Sequence, residues 1–565
     1  MRRPARGWPP TLRRWTRPPC WSRIAIRGVY RRVIRCRYEA FVTDDSHGIS
    51  RRRLLTTGAA SAVLGGVGVG GASLLWSRPR GPLVWYQPDR SGAPPVGGLH
   101  LQFGRNASTE VVVSWHTIEA VRNPRVMLGA PTSGFGRSVA AETRTYRDAK
   151  SNTEIRVNHA RLTNLTPDTD YVYAAVHDGT NPELGTVRTA PSGRKALRFT
   201  SFGDQGTPSL GKLVNGTYVT DSNGTPAAGD TTVAIERMAP LFNLVNGDLC
   251  YANLAQDRIR TWSDWFDNNT RSARYRPWMP AAGNHENELG NGPIGYGAYQ
   301  TYFAVPDSGS SQELRGLWYS FAAGSVRIIS LNNDDVCYQD GGNSYVHGYS
   351  AGEQKRWLQA ELAEARRDPS VDWVVVCMHQ TAISTAERGS SNGADLGIRQ
   401  EWLPLFDQYR VDLVVCGHEH HYERSHPLRG TLDTATRTPV PADTRTDLID
   451  ATRGTVHLVI GGGGTANPSN AVLFAQPRCR VITGVGDVDP ATGRRPPIRV
   501  VEDAPWSAFR DRDNPYGFVV FDVDPGPPGG NTSIKATYYA VTGPFGGVTM
   551  VDQFTLTKPR GGASG

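Results

Sequence analysis

The sequence predicts two folded parts in series: an all-β sandwich, then an α/β domain with a largely buried sheet. Three observations carry that expectation. Between about 96 and 192, short segments alternate apolar and polar residues and are separated by turn residues, the pattern of half-buried antiparallel strands. After Arg194, apolar runs of four to seven residues alternate with longer helix-compatible stretches, as in sheets covered by helices. The chain also holds 62 Gly and 39 Pro among 565 residues, which favours turn-rich β structure over helical bundles. That length exceeds one ordinary core, and 38% hydrophobic residues suffice to fill more than one.

Charge and composition mark three segments ahead of the sandwich. The net charge is +9, but residues 1–80 hold 17 of the 62 basic side chains and only 3 of the 53 acidic ones. The remainder has 45 basic and 50 acidic groups. The folded body is therefore mildly acidic, which excludes a nucleic acid binding partner on charge grounds. Residues 1–49 are a basic N-terminal extension, patternless up to residue 41, and a translation start is expected near Val42. The segment "SRRRLLTTGAASAVLGGVGVGGASLLW" (50–76) resembles a twin-arginine export signal, with Ser50-Arg51-Arg52-Arg53-Leu54-Leu55 as its core. Its length also permits a membrane span, though its many glycines weaken that reading. No clean A-x-A site follows, so an uncleaved anchor through residues 56–76 stays open. The twin-arginine export machinery is the expected partner, and the cell envelope or the medium the expected location. Residues 77–95, rich in Pro, Gly and Arg, read as a linker.

The sandwich is expected over 96–193, from "LHLQF", "EVVVSWHT", "RVMLGA", "EIRVNHARLTNL" and "DYVYAAVHD". "VVVSWHT" followed by "LTNLTPDTDYVYAAV" resembles a fibronectin type III-like domain. Trp115 and Tyr171 or Tyr173 would be its core aromatics, and His116 and His159 read as structural. The α/β domain is expected over 194–558. Its apolar runs lie at 197–202, 241–246, 278–282, 326–331, 373–378, 411–416 and 456–460. Residues 351–368 place Trp357, Leu358, Leu362 and Ala365 at helical spacing. "YGFVVFDV", "SIKATYYAV" and "VDQFTLTK" read as a closing β-meander, and 559–565 as a tail. "GGGG" (461–464) lacks the Lys-Ser/Thr of a phosphate loop and reads as a turn. Seven cysteines without a C-x-x-C exclude a disulfide scaffold and a zinc ribbon. Cys377 and Cys416 read as packing residues, while Cys250 and Cys337 are expected to pair in an oxidising compartment.

The chemistry collects where the apolar runs end. Asp204 follows the first; Asp248 and Tyr251 follow the second; Asn284, His285 and Glu286 follow the third. His379 follows the run at 373–378, and "GHEHH" (417–421) the run at 411–416. Ligands of open α/β sheets gather beyond the carboxyl ends of the strands, and glycines there let the backbone turn sharply. A donor set of carboxylate, phenol, amide and imidazole without thiolates suits iron, manganese or catalytic zinc. Seven ligands are too many for one ion. Two ions sharing a carboxylate use them, an arrangement that activates water and clamps a phosphoryl group.

The series GDxG, GDxxY, GNHE, an apolar run ending in His, and GHxH resembles the dinuclear metallophosphoesterases. The Tyr of GDxxY and the N-terminal sandwich resemble the purple acid phosphatases among them. "WSDWFDNNTRSARYRPWMPAAGNHE" (262–286), "GHEHHYERSHP" (417–427) and "WSAFRDRDNPYGFVVFDV" (506–523) agree. The resemblance covers roughly 96–558 and implies a four-layer α/β/β/α metallophosphoesterase sandwich. It implies Asp204, Asp248, Tyr251 and His420 on an Fe(III), with Asp248 bridging. Asn284, His379 and His418 would complete a second site holding Fe(II), Zn or Mn. The implied activity is an exported acid phosphatase that hydrolyses small phosphate monoesters by attack of a metal-held hydroxide on phosphorus. His285 is the expected catalytic residue, donating a proton to the leaving group or orienting the phosphate. His421 is read as lying behind the ligands or on the surface. Some plant members carry a His pair after the His379 position; here "TAISTAERGSSNGADLG" has none. A phosphodiesterase or nucleotidase using the same centre is the alternative enzyme. An envelope adhesion protein with a decayed phosphatase domain is the non-enzymatic alternative, opposed by the intact ligand set.

Overall fold

The computed structural model describes residues 92–208, 212–214, 217–219, 223–339, 344–388 and 392–561. The basic extension, the export-signal segment with its anchor reading, Cys20, Cys36 and most of the linker lie outside the described residues.

The N-terminal part is a sandwich of two four-stranded antiparallel sheets. One has the order Gly97–Phe103, Val111–Thr117, Glu154–Leu162, Glu142–Arg147; the other Gly134–Ala140, Arg125–Ala130, Asp170–Val176, Glu183–Arg188. Alternation puts Leu101, Phe103, Val113, Trp115, Val126, Leu128 and Tyr173 inside. Tyr171 is half-buried, and its hydroxyl accepts the Thr166 N–H at 2.8 Å, a tyrosine corner of the kind that pins such sandwiches. His159 is structural, as expected: it lies between Ser114 Oγ at 2.8 Å and the Thr301 carbonyl at 2.9 Å. His116 packs its ring against Phe266 and Tyr302. The strands Gly134–Ala140, Glu142–Arg147 and Glu183–Arg188 were not among the expected segments. They lie at sheet edges and are largely exposed, so they carry little apolar alternation.

The second part has two seven-stranded sheets packed face to face. The first runs Trp278–Pro280, Phe242–Val245, Leu197–Phe202, Gly517–Asp524, Asn531–Gly543, Gly547–Pro559, Leu448–Asp450. The second runs Tyr319–Ala323, Val326–Ser330, Trp373–Cys377, Leu413–Cys416, Val456–Ile460, Tyr422–Ser425, Ser507–Arg510. Phe242 meets Phe321 edge-on across the interface, and Tyr422 stacks on Tyr538 at 3.8 Å. Helices Ala227–Arg237 and Arg258–Ala273 lie on the first sheet's side. Glu353–Arg367 and Leu403–Gln408 lie on the second's, which completes four α/β/β/α layers. Helix Glu353–Arg367 buries Leu358, Leu362 and Ala365 as its spacing predicts.

Each sheet holds a parallel set: Leu197–Phe202 with Phe242–Val245 and Trp278–Pro280, and Val326–Ser330 through Trp373–Cys377 and Leu413–Cys416 to Val456–Ile460. Buried on both faces, they read as continuous apolar runs. The three C-terminal strands form the expected antiparallel meander and join Leu197–Phe202. A small side sheet of Ala394–Asp395, Arg478–Val485 and Pro497–Asp503 was not foreseen. Among the described residues no helix is long and apolar enough to cross a membrane.

The expected Cys250–Cys337 pair is not formed. All five described cysteines are free and buried, and burial pushes the Cys250 and Cys337 thiols well up. Each is enclosed in its own loop, Cys250 beside Tyr251 and Cys337 after the turn Asn333–Asp335. Cys377 and Cys416 pack in neighbouring parallel strands, as expected.

Candidate metal centre

Five loops leave the carboxyl ends of the parallel strands and bring all seven expected donor residues together. Four of these residues hold a left-handed backbone: Asp204 (φ 56°), Asp248 (φ 50°), Tyr251 (φ 58°) and His418 (φ 70°). Such backbone costs roughly 1–3 kcal/mol per residue and persists where the surroundings over-determine it, commonly at functional sites. Glycine makes the close approach feasible. A Cβ on Gly417 would lie 2.3 Å from Asp204 Oδ2, and one on Gly283 2.4 Å from the Asp248 nitrogen.

The donor atoms fall into two sets. In the first, Asp204 Oδ1, Tyr251 Oη and His420 Nε2 are 3.3–3.4 Å from one another. In the second, Asn284 Oδ1 lies 2.9 Å from His379 Nε2 and 3.0 Å from His418 Nδ1. The two imidazole nitrogens are 3.2 Å apart, and His379 Nε2 is 3.2 Å from Asp248 Oδ2. Neighbouring donors on a cation with bonds of about 2.1 Å are about 3 Å apart. Asp248, His379 and His418 are all buried and aim one atom each at a common volume. The Asp204 and Asp248 loops are tied by the Asp204 N–H donating to the Gly247 carbonyl at 3.1 Å.

Hydrogen bonds leave the right atoms free. His379 Nδ1–H donates to the Asn246 carbonyl at 2.7 Å, and His420 Nδ1–H to the Asn467 carbonyl at 2.7 Å. Each ring then keeps its Nε2 lone pair for the centre. Asp204 Oδ2 accepts the His418 N–H at 2.8 Å, and Asp248 Oδ1 the His285 N–H at 2.9 Å. The second oxygen of each carboxylate faces the donor set.

Electrostatics agree with a cation site. Burial pushes the Asp204 carboxyl up. Burial acts likewise on Asp248, but His379, His285 and His418 outweigh it and hold the carboxyl below the usual range. Burial opposes a charged His379, yet Asp248 and then Asp204 raise it to about 10; Asp204 likewise raises His420 against burial. Burial, then Asp204 and Asp248, push the Tyr251 phenol well up. Positive charge is thus favoured at both places. A bound cation would supply it and would draw the phenol to phenolate.

His285 sits at the edge of the centre, 22% exposed, with Nε2 4.0 Å from Asp248 Oδ2. Its Nδ1 is 2.9 Å from Asn253 Oδ1, and its ring tilts against Tyr251 at 4.7 Å. Burial lowers its proton affinity, opposed by Asp248. His421 is not on the surface. It is buried, with Nε2 2.9 Å from Glu423 Oε1 and Nδ1 2.8 Å from Ser469 Oγ.

Sequence reasoning assigned no role to the residues that hold the loops. Glu286 Oε2 accepts the Asp248 and Gly283 N–H groups at 2.9 and 2.8 Å, and Oε1 the Leu249 N–H at 2.9 Å. Burial and Asp248 push its carboxyl up to about 8. Glu419, between the two ligand histidines, accepts the Asn392 and Gly393 N–H groups at 2.8 Å. The glycine run at 461–464 packs on the Asp204 loop, Gly463 N–H donating to the Gly203 carbonyl at 2.8 Å.

Comparison with known proteins fits this geometry. Residues 96–190 match the purple acid phosphatase N-terminal domain, and residues 227–422 the calcineurin-like phosphoesterase family. The chain belongs to the purple acid phosphatase family. It is 82% identical over 515 residues to an uncharacterized protein of Mycobacterium tuberculosis, covering 91% of this chain and 97% of that one. The purple acid phosphatase of Glycine max is 27% identical over 382 residues, 65% of this chain and 72% of that one. The Fe(3+)-Zn(2+) purple acid phosphatase 12 of Arabidopsis thaliana is 27% identical over 337 residues, 58% and 64%. The structure of the yellow lupin purple acid phosphatase PPD1 superposes with a TM-score of 0.60 at 21% identity, covering 82% of this chain and 75% of that one. As a purple acid phosphatase, the chain is a phosphoric ester hydrolase with a dinuclear metal centre.

Proposed function

We propose that Asp204, Tyr251 and His420 hold one ion, that Asn284, His379 and His418 hold the other, and that Asp248 bridges them. On this reading the first ion is Fe(III), the second is Fe(II), Zn or Mn, and the reaction is hydrolysis of small phosphate monoesters. The observation that carries the assignment is the pair of donor sets, each with about 3 Å edges, on adjoining loops. Phenolate and carboxylate suit a hard trivalent ion, whereas two imidazoles and an amide oxygen suit a divalent one. The Arabidopsis relative with Fe(3+) and Zn(2+) in its name supports the mixed pair.

When bound, the pair supplies an acidified water and positive charge against the phosphoryl oxygens. The chain's own residues do the rest. The Asn246 and Asn467 carbonyls orient His379 and His420. Glu286 holds the Asp248 and Gly283 turns together, so the bridging carboxylate does not drift. With Nδ1 held at Asn253, His285 turns Nε2 to the Asp248 side, where in its protonated form it can pass a proton to the departing oxygen. Export is supported by the twin-arginine-like stretch at 50–76, and the proposed location is outside the cytoplasmic membrane or in the envelope.

The test pairs metal analysis with hydrolysis of 4-nitrophenyl phosphate. About two ions per chain are expected in the purified protein. Asp248→Asn should lower kcat by about a thousandfold or more and reduce the metal content. An Asp248→Asn variant that turns over like the wild type would eliminate the assignment.

A further inference from the structure

Each ligand imidazole has an outer nitrogen that faces away from the donor set, and the three are not held alike. His379 and His420 point Nε2 inward, and each outer Nδ1–H donates to a backbone carbonyl, of Asn246 and of Asn467. His418 is reversed. Its Nδ1 is the inner atom, 3.0 Å from Asn284 Oδ1 and 3.2 Å from His379 Nε2. Its outer Nε2 meets a side chain instead, the amide of Asn392 at 3.2 Å.

The loop that carries Asn392 is fixed without that contact. The Asn392 and Gly393 N–H groups both donate to Glu419 Oε1 at 2.8 Å, and Arg499 Nε donates to the Asn392 carbonyl at 3.3 Å. Gly393 (φ 93°) lies close against the strand Arg478–Val485, where a Cβ would stand 2.1 Å from the Arg480 carbonyl oxygen. The next two residues pair with that strand in parallel, Ala394 opposite Val481 and Asp395 opposite Ile482. The Asp395 N–H donates to the Thr381 carbonyl at 3.0 Å. The side sheet that the sequence did not foretell thus delivers one side chain to His418 from a backbone already pinned at several points. A further tether between the loops would add little, so the Asn392–His418 contact acts on the ring.

An ion on Nδ1 takes that lone pair, and the ring proton then sits on Nε2 and needs an acceptor. The Asn392 amide can supply one, since a half-turn about Cβ–Cγ exchanges its nitrogen for its oxygen. We infer that Asn392 is a positioning residue: its Oδ1 receives the His418 Nε2–H, fixes the ring in the tautomer that ligates through Nδ1, and so sets the affinity of the second metal site. This rests on the two-ion assignment proposed above. His379 and His420 owe their tautomers to main-chain oxygens, so the second ion is the one whose hold a single side chain governs.

The experiment takes the purified full chain with iron in the first site and titrates zinc into the second against a zinc-binding dye. Absorption spectroscopy follows the Tyr251 charge-transfer band in the same samples. Asn392→Leu should weaken zinc binding about 10- to 100-fold, the usual effect of losing a ligand's outer hydrogen-bond partner, and leave the band in place. Asn392→Asp keeps the shape and offers only acceptor oxygens, so it should hold zinc at least as tightly as the wild type. Unchanged zinc affinity in Asn392→Leu, or an Asn392→Asp that falls as far as Asn392→Leu, overturns the inference. Loss of the band together with zinc in Asn392→Leu also overturns it, because the contact would then be a tether for the whole centre. A wild type that takes up no zinc beside the iron overturns the two-ion assignment, and the inference with it.

Discussion

At Tyr251, three features that a structural tyrosine does not need coincide. Its backbone is left-handed, its side chain is fully buried, and its hydroxyl faces a carboxylate and an imidazole nitrogen at 3.4 and 3.3 Å. A phenol raised by burial and two aspartates ionises only beside a cation. Tyr251→Phe should therefore remove a visible charge-transfer band while Asp204 and His420 keep most of the metal. Absorption spectroscopy with metal analysis reads both, and a band that survives in Tyr251→Phe would exclude phenolate ligation. The same residue shows what the sequence makes legible. Each ligand announces itself by following an apolar run, so the seven donors could be named in advance. Glu286 follows the third run as well, but its role could not be read, because its work is to accept backbone N–H groups. Any turn carboxylate can do that, and no spacing signals it. His421, two residues from Glu423, carried no sign that it would face inward to that carboxylate.

The elements that build the centre are strand ends, and their demand is closeness. Gly417 ends Leu413–Cys416, and a Cβ there would stand 2.3 Å from Asp204 Oδ2 and 2.7 Å from the Asn246 carbonyl. Neither neighbour can yield, since Asp204 Oδ2 already accepts the His418 N–H and Asn246 buttresses His379. Gly417→Ala should cost about 1–3 kcal/mol of stability by overpacking. It should also displace Asp204, lowering metal content and activity together. Gly136→Ala, in the exposed edge strand Gly134–Ala140 with nothing within 4 Å of a Cβ, should change neither. Denaturant unfolding alongside metal analysis checks the pair, and a Gly417→Ala variant that keeps full metal content would refute the packing argument. Inner strands were legible because burial on both faces makes them continuous apolar runs. The hairpin Arg478–Asp503 was not: its return strand is mostly exposed, and Arg499 and Glu502 interrupt its apolar residues.

Across the whole molecule, the order of strands within each sheet was beyond the sequence. It pairs Leu197–Phe202 with Gly517–Asp524, more than three hundred residues later, and nothing local encodes that. The same long-range packing leaves polar groups in dry places, which makes stability depend on pH. His457 lies inside the central strand Val456–Ile460 with no hydrogen-bond partner for Nδ1, and burial, helped by the Arg399 charge, lowers its pKa to about 3. The unfolded chain protonates that imidazole below about pH 6.5. The folded chain refuses the proton until the pH nears 3. Between those values the unfolded state binds more protons, so stability is fully present above about pH 6.5 and falls as the solution is acidified. The loss approaches about 1.4 kcal/mol per pH unit, or about 2 kcal/mol at pH 5. Buried carboxyls raised in the fold, such as Glu288 to about 7 and Asp395 to about 7, act in the opposite direction over the same range. The comparison must therefore be between variants. His457→Leu should retain more of its pH 7 stability at pH 5 than the wild type does, by about 2 kcal/mol, whatever its stability at pH 7. Urea unfolding at both pH values reads that difference directly. Parallel pH profiles for the two proteins would mean that His457 already carries its proton in the folded state.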